Sequence, residues 1–302
     1  MATLTTDIRR VQANGIDFAY LEAGPPDGPL ALCLHGFPDH ARTWRHLLPA
    51  LAGAGWHAVA PWTRGYHPTG LAPDGRYQSA VLSQDAVALV EALGDERSVI
   101  IGHDWGAIAA SGAAILAPER MSRVVCMTIP HLGVAFSKAL SDWGQMKRFW
   151  YMWWLLLPGI YEMSVSDDDV AFAEGLWRDW SPSMTVDRQD MTEIRTMLSR
   201  PEVLAAATQY YRQLLDGTQQ SDDLLDVQLA VQSDPITIPV MFVGGVEDGC
   251  FAAEFLQESA EYCTAECRVE VLENCGHFLH LERPDTVNRL ILDWIGPGRE
   301  AG

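Results

Sequence analysis

The chain has 302 residues, with 21 Lys and Arg against 40 Asp and Glu, a formal net charge of −19. That length suits one large α/β domain or two ordinary ones, and a hydrophobic share of 48% supplies a sizeable core. The acidic balance argues against nucleic acid or an anionic membrane as partner, since both demand a basic face, and six Cys without a C-x-x-C pair argue against a disulfide scaffold or a zinc cluster.

Residues 1–7 carry no basic-then-apolar signal pattern, and the longest apolar run, 149–157, is short of the ~20 residues that cross a bilayer. The expectation is a cytoplasmic protein whose thiols are small buried groups. Strand-like and helix-like segments then alternate. Residues 16–23 read as a strand, 30–34 as a short apolar strand, 43–51 as a helix and 56–60 as a strand. Residues 79–93 read as a helix, with Leu82, Ala86, Leu89, Val90 and Leu93 on one face and Gly94 as its stop. A strand over 98–101, a small-residue helix over 107–116 and a strand over 123–128 follow. This rhythm predicts an α/β fold with a mostly parallel central sheet flanked by helices. It breaks near Leu132. From there to about Val231 the patterns are helical, and six of the eleven Trp fall in this stretch. The rhythm resumes with a strand over 239–244, a helix over 251–263, a strand over 268–272 and a helix over 285–294. The predicted organisation is therefore a core made of 1–134 and 233–302, interrupted by a helical cap over 135–232.

The central chemical signal is Gly102-His103-Asp104-Trp105-Gly106, which closes a β-branched run and opens a helix. It has the form of a nucleophile elbow with Asp in the place of Ser. The two Gly let backbone and helix approach without a Cβ clash, and the helix N-terminus favours a carboxylate. An N-cap Asp on an ordinary strand-to-helix turn would leave the same local pattern. His35-Gly36-Phe37-Pro38 follows the apolar strand at 30–34, where an elbow hydrolase places its second oxyanion N–H, here that of Phe37 beside that of Trp105. His277, on the loop after the last strand, stands where a base would sit, with His280 as its competitor. Asp248, just past the strand at 239–244, would orient it, with Glu247 the second choice. Nucleophile, acid and His come in the order of the α/β-hydrolase plan, each at a strand end. Nine scattered His with no H-E-x-x-H give no metal motif. No metal and no cofactor are expected.

These motifs together, with Arg64-Gly65-Tyr66 and the Gly276-His277-Phe278 … Glu282 … Pro284 segment, resemble the epoxide hydrolase and haloalkane dehalogenase group of α/β-hydrolases over the whole chain. One departure is Trp62, where relatives usually carry Asp. The resemblance implies that Asp104 attacks a saturated carbon to form an alkyl-enzyme ester. His277 then activates water, Asp248 supports the imidazolium, and the Phe37 and Trp105 N–H groups hold the oxyanion. Epoxide hydrolases also use two cap tyrosines as proton donors. Tyr151, seven residues before Pro158-Gly159, and Tyr211, in Gln209-Tyr210-Tyr211-Arg212, stand in matching places, with Tyr210 open as an alternative to Tyr211. The implied pocket is lined by Trp105, Phe37, Pro38, Trp154 and Phe278. The implied partners are a small apolar epoxide and water, and a homodimer is left open. Haloalkane dehalogenation with the same Asp is the alternative, kept alive by Trp153 and Trp154. Haloacid dehalogenation ranks below it, because Trp105 stands where an Arg would clamp the acid. A non-catalytic ligand-binding member of the fold is the remote alternative.

Overall fold

A computed structural model describes residues 7–94, 98–157, 159 and 169–298. The strands are β1 (Arg9–Ala13), β2 (Ile16–Ala23), β3 (Leu30–Leu34), β4 (His57–Pro61), β5 (Ser98–His103), β6 (Met121–Met127), β7 (Val240–Gly245) and β8 (Cys267–Leu272). They form one sheet in the order β1-β2-β4-β3-β5-β6-β7-β8. β2 is antiparallel to β1 and to β4, and every other pairing is parallel. The interior strands β3, β4, β5 and β7 are buried at every residue. That is why they read as continuous apolar runs and not as alternating ones: helices cover both faces of a parallel sheet.

The helices are α1 (Leu47–Gly53), α2 (Ser79–Leu93), α3 (Trp105–Leu116), α4 (Leu132–Ser141), α5 (Trp143–Arg148), α6 (Trp150–Leu156), α7 (Asp169–Trp180), α8 (Arg188–Leu198), α9 (Pro201–Leu215), α10 (Leu225–Ser233), α11 (Leu279–Glu282) and α12 (Pro284–Ile295). α4 to α10 fill the chain between β6 and β7, and the described residues there include no strand. Pro158, part of the spacing that singled out Tyr151, lies outside the described residues. α10 is tied to the first turn of α2: Gln228 accepts from the Ala80 N–H at 3.0 Å and donates to Ser79 Oγ at 2.6 Å.

Three elements differ from the sequence reading. β1 was not anticipated. It pairs with β2 through a tight turn whose two central residues, Asn14 and Gly15, both have positive φ (44° and 73°). Asn-Gly supplies that backbone at little steric cost. The helix expected over 251–263 is instead a 3₁₀ helix, Ala253–Tyr262, whose buried residues Ala253, Leu256 and Ser259 recur every third position. Three residues per turn places them on one face. The helix expected over 43–51 splits into a 3₁₀ turn at Ala41–His46 and α1. The cysteines are free, four of them buried and Cys263 and Cys267 half-buried.

Candidate active site

The carboxyl ends of β3, β5, β7 and β8 converge, and each carries one part of the site. β5 turns into α3 through Asp104, whose φ of 53° and ψ of −120° no ordinary side chain adopts without strain. Such backbone costs about 1–3 kcal/mol and persists only where neighbours enforce it. Here glycines enforce it. A Cβ on Gly106 would lie 2.0 Å from the Leu34 carbonyl oxygen, and one on Gly36 would lie 2.1 Å from Asp104 Oδ1. Without them β3, β5 and α3 could not pack so closely.

The loop after β3 brings the Phe37 N–H to Asp104 Oδ1 at 2.8 Å. The other oxygen, Oδ2, lies 3.8 Å from His277 Nε2. His277 Nδ1 faces both Asp248 oxygens, at 3.2 and 3.0 Å. Asp248 is itself held by the Cys250 N–H at 2.7 Å and the Phe251 N–H at 3.0 Å. Asp104, Asp248 and His277 are all buried. Burial raises the Asp104 pKa, and the charge of His277 with the Phe37 and Trp105 N–H groups opposes that rise. For His277 burial pulls the pKa down, but Asp248 first and Asp104 after it reverse the sign, and the net shift is upward. Asp248 supports an imidazolium on one side of the ring, while Nε2 has no hydrogen-bond partner on the other.

Above Asp104 lies an apolar cavity of about 290 Å³. Asp104, Tyr151 and Tyr211 line it among aliphatic and other aromatic residues. The two tyrosine rings meet edge to face at 5.7 Å. The Tyr151 hydroxyl touches Cys250 Sγ at 3.5 Å. The Tyr211 hydroxyl makes no well-formed hydrogen bond; the Trp105 indole approaches it and opposes the upward pull of burial on its pKa without reaching hydrogen-bond geometry. Burial holds both phenols well above their ordinary pKa, so they stay protonated. Tyr210 points elsewhere and donates to the Arg64 carbonyl at 2.6 Å. One step along a helix turns a side chain by about 100°, and that separates the two neighbours.

The pocket lining is only partly the expected one. Trp105 lines the cavity, but Phe37, Pro38, Trp154 and Phe278 do not. Phe37 contributes its backbone, and its ring packs edge-on against Tyr211 at 5.4 Å. The Pro38 carbonyl accepts from Trp177 Nε1 at 2.9 Å. Phe278 stacks on Trp177 with centroids 4.0 Å apart. Trp153, next along α6, lines the cavity in place of Trp154. His280, the competitor for the base, stacks on Trp44 and contacts Thr43 Oγ1. Glu247 accepts from Ser183 and not from His277.

Sequence reasoning missed the end of α7. The Trp180 carbonyl accepts from both the Gly249 N–H (3.2 Å) and the His277 N–H (3.0 Å), bridging the two loops that carry Asp248 and His277. Ser181 Oγ donates to Glu282 at 2.8 Å, and Glu282 in turn receives the Gly276 N–H at 3.0 Å. The break at Ser181-Pro182 was visible, but a backbone carbonyl leaves no mark in a sequence.

This sheet order, with Asp104 after β5, Asp248 after β7 and His277 after β8, fits the plan of an α/β hydrolase, and residues 29–284 match the model of the alpha/beta hydrolase fold family; the chain belongs to that family. It is 28% identical to the AB hydrolase superfamily protein YfhM of Bacillus subtilis, covering 94% of this chain and 96% of that one. It is 28% identical to Epoxide hydrolase A of Mycobacterium tuberculosis, over 95% and 96% of the two chains. Among solved structures it resembles an epoxide hydrolase from Vigna radiata, with a TM-score of 0.78, 25% identity, and coverage of 96% and 97%.

Proposed function

We propose that the protein is an epoxide hydrolase that opens a small apolar epoxide to a vicinal diol through an ester on Asp104. One observation carries the reading: two buried tyrosines and a buried carboxylate line one otherwise largely apolar cavity, and the Asp104 charge acts on both phenols. A carboxylate can displace oxygen from a saturated carbon, and its ester remains open to water, whereas a serine ether would be inert. An epoxide oxygen leaves while still tethered to carbon and needs proton donors as charge develops on it. Tyr151 and Tyr211 supply them, and this favours an epoxide over a haloalkane. The curated relative named Epoxide hydrolase A supports the same reading.

In the first step an Asp104 oxygen bonds to the epoxide carbon, the carbon–oxygen bond breaks, and the oxygen takes a proton from a tyrosine. In the second, His277 Nε2 accepts a proton from water, and hydroxide adds to the ester carbonyl of Asp104. The Phe37 and Trp105 N–H groups stabilise the oxyanion. The ester bond then breaks, the departing alkoxide takes the proton of the hydroxyl newly added to Asp104 and leaves as the diol, the carboxylate is restored, and the proton on His277 restores the phenol. The Asp104 charge is one of the influences that hold the His277 pKa up. Esterification removes that charge, so the intermediate makes its own base more readily neutral at the moment water must be activated.

Excess enzyme turned over once with styrene oxide in heavy-oxygen water should give diol without label, because the new oxygen comes from Asp104. Label in the first diol would rule out the ester. His277→Gln should accumulate the ester, seen as an intact-mass gain equal to the substrate; rapid turnover by that variant would remove His277 as the base.

A further inference from the structure

Three residues far apart in sequence place three different donor atoms together. Asp104, Cys250 and His277 each offer an atom, a carboxylate oxygen, a thiol sulfur and an imidazole nitrogen, and all lie within 4.8 Å of one another. All three residues are at least nine-tenths buried, and His277 Nε2 aims into the group without a partner. Asp104 and Tyr151 line the cavity, and Tyr151 touches the Cys250 sulfur at 3.5 Å, so the cluster lies against the cavity's inner wall.

We propose that Asp104, Cys250 and His277 form a binding site for a thiophilic divalent cation, Zn²⁺ above all, and that this ion blocks the catalytic centre. The donor set is one that Zn²⁺ takes: thiolate sulfur, neutral imidazole nitrogen and carboxylate oxygen, with an open fourth position for water or the Tyr151 hydroxyl. Asp104 Oδ2 and His277 Nε2 are 3.8 Å apart. A tetrahedron with bonds of about 2.05 Å to N and O has an edge of about 3.3 Å, so this pair closes by about half an ångström, and the Cys250 sulfur, within 4.8 Å of both, moves in with it. The outer support is already present, because Asp248 holds Nδ1 in the carboxylate–imidazole–metal arrangement that fixes ring and tautomer. On binding, the Cys250 sulfur loses its proton to solvent and bonds to the ion. The charges of thiolate, carboxylate and dication then sum to zero, leaving Asp248 to balance nothing but its hydrogen bonds. The ion occupies the oxygen of Asp104 and the nitrogen of His277 that the chemistry needs.

The binding claim stands on geometry alone; only its inhibitory consequence rests on the epoxide reading. Calorimetry with Zn²⁺, and the thiolate-to-metal absorption band with Cd²⁺, should be measured on the wild type, Cys250→Ser and Asp104→Asn, with folding checked by circular dichroism. The wild type should bind with the band. Cys250→Ser should lose the band and weaken Zn²⁺ binding by roughly 10- to 100-fold or more, the loss that even outer partners of a ligand impose. Asp104→Asn should weaken binding but keep the band. Equal Zn²⁺ affinity in the wild type and Cys250→Ser, or no binding to the wild type, would overturn the site; Cys250→Ala replaces Cys250→Ser if the latter does not fold. Epoxide turnover should fall with Zn²⁺, competitively with substrate, and return on chelation. Binding at Cys250 in a protein that turns over no epoxide would sink the functional reading and leave the metal site standing.

Discussion

The charge on Asp104 acts on His277, Tyr151 and Tyr211 at once, raising the pKa of each. Its loss in the proposed ester would therefore have a signature. A base whose pKa is raised is neutral only above that value, so activity falls as pH drops through it. In the ester the Asp104 contribution is gone, and the neutral base persists to lower pH. Ester hydrolysis in single-turnover experiments should thus hold its rate below the pH at which His277 protonates in the free enzyme, as followed by NMR; coincident midpoints would contradict this. In the proposed mechanism the tyrosines act on the other step. The double variant Tyr151→Phe, Tyr211→Phe should lose roughly 10²- to 10⁴-fold in ester formation, the usual worth of positioned proton donors. Rapid-quench kinetics showing an unchanged alkylation rate would remove both from the mechanism.

Elements matter here through their ends. β3 and α3 meet so closely that Gly106 has the Leu34 carbonyl where a Cβ would stand. Gly106→Ala must push α3 off β3, and overpacking of this kind costs about 1–3 kcal/mol. Urea denaturation should show that loss together with a fall in turnover; full stability in the variant would mean that the elbow has slack. The elbow was legible in the sequence because such close approach needs Gly at fixed places beside Asp104. The parallel strands were legible because burial on both faces leaves uninterrupted apolar runs. The hairpin of β1 and β2 carries its own sequence signal, Asn14-Gly15, both at positive φ. The pocket wall was not legible: Trp153 and Trp154 are chemically alike, and only the rotation of α6 decides which faces the cavity. The Cys250 cluster was invisible too, since its members sit on three separate loops.

At the scale of the whole molecule, one buried pair joins distant parts of the chain. Arg64 donates through Nε and a terminal nitrogen to the two oxygens of Asp85 on α2, both at 2.6 Å, and Asn14 of the first hairpin donates to the same carboxylate at 2.7 Å. The Arg64 carbonyl receives Tyr210 from α9. Asp85→Leu would leave the buried Arg64 guanidinium only the half-exposed Asp74, at 3.8 Å, and should cost about 3–5 kcal/mol in unfolding free energy. The double variant with Arg64→Leu should recover part of that, because no charge is then left unpaired; a double variant as unstable as the single one would refute the pairing argument. The other long-range join, from the end of α7 to the loops of Asp248 and His277, is of a different kind. Its acceptor is the main-chain oxygen of residue 180, which every amino acid carries. Replacing the side chain there disturbs packing but leaves the acceptor in place. Adding or deleting a single residue along α7 swings it about 100° around the helix axis, away from both loops. Variation among proteins built this way should accordingly run through substitutions along that helix, while its length stays fixed.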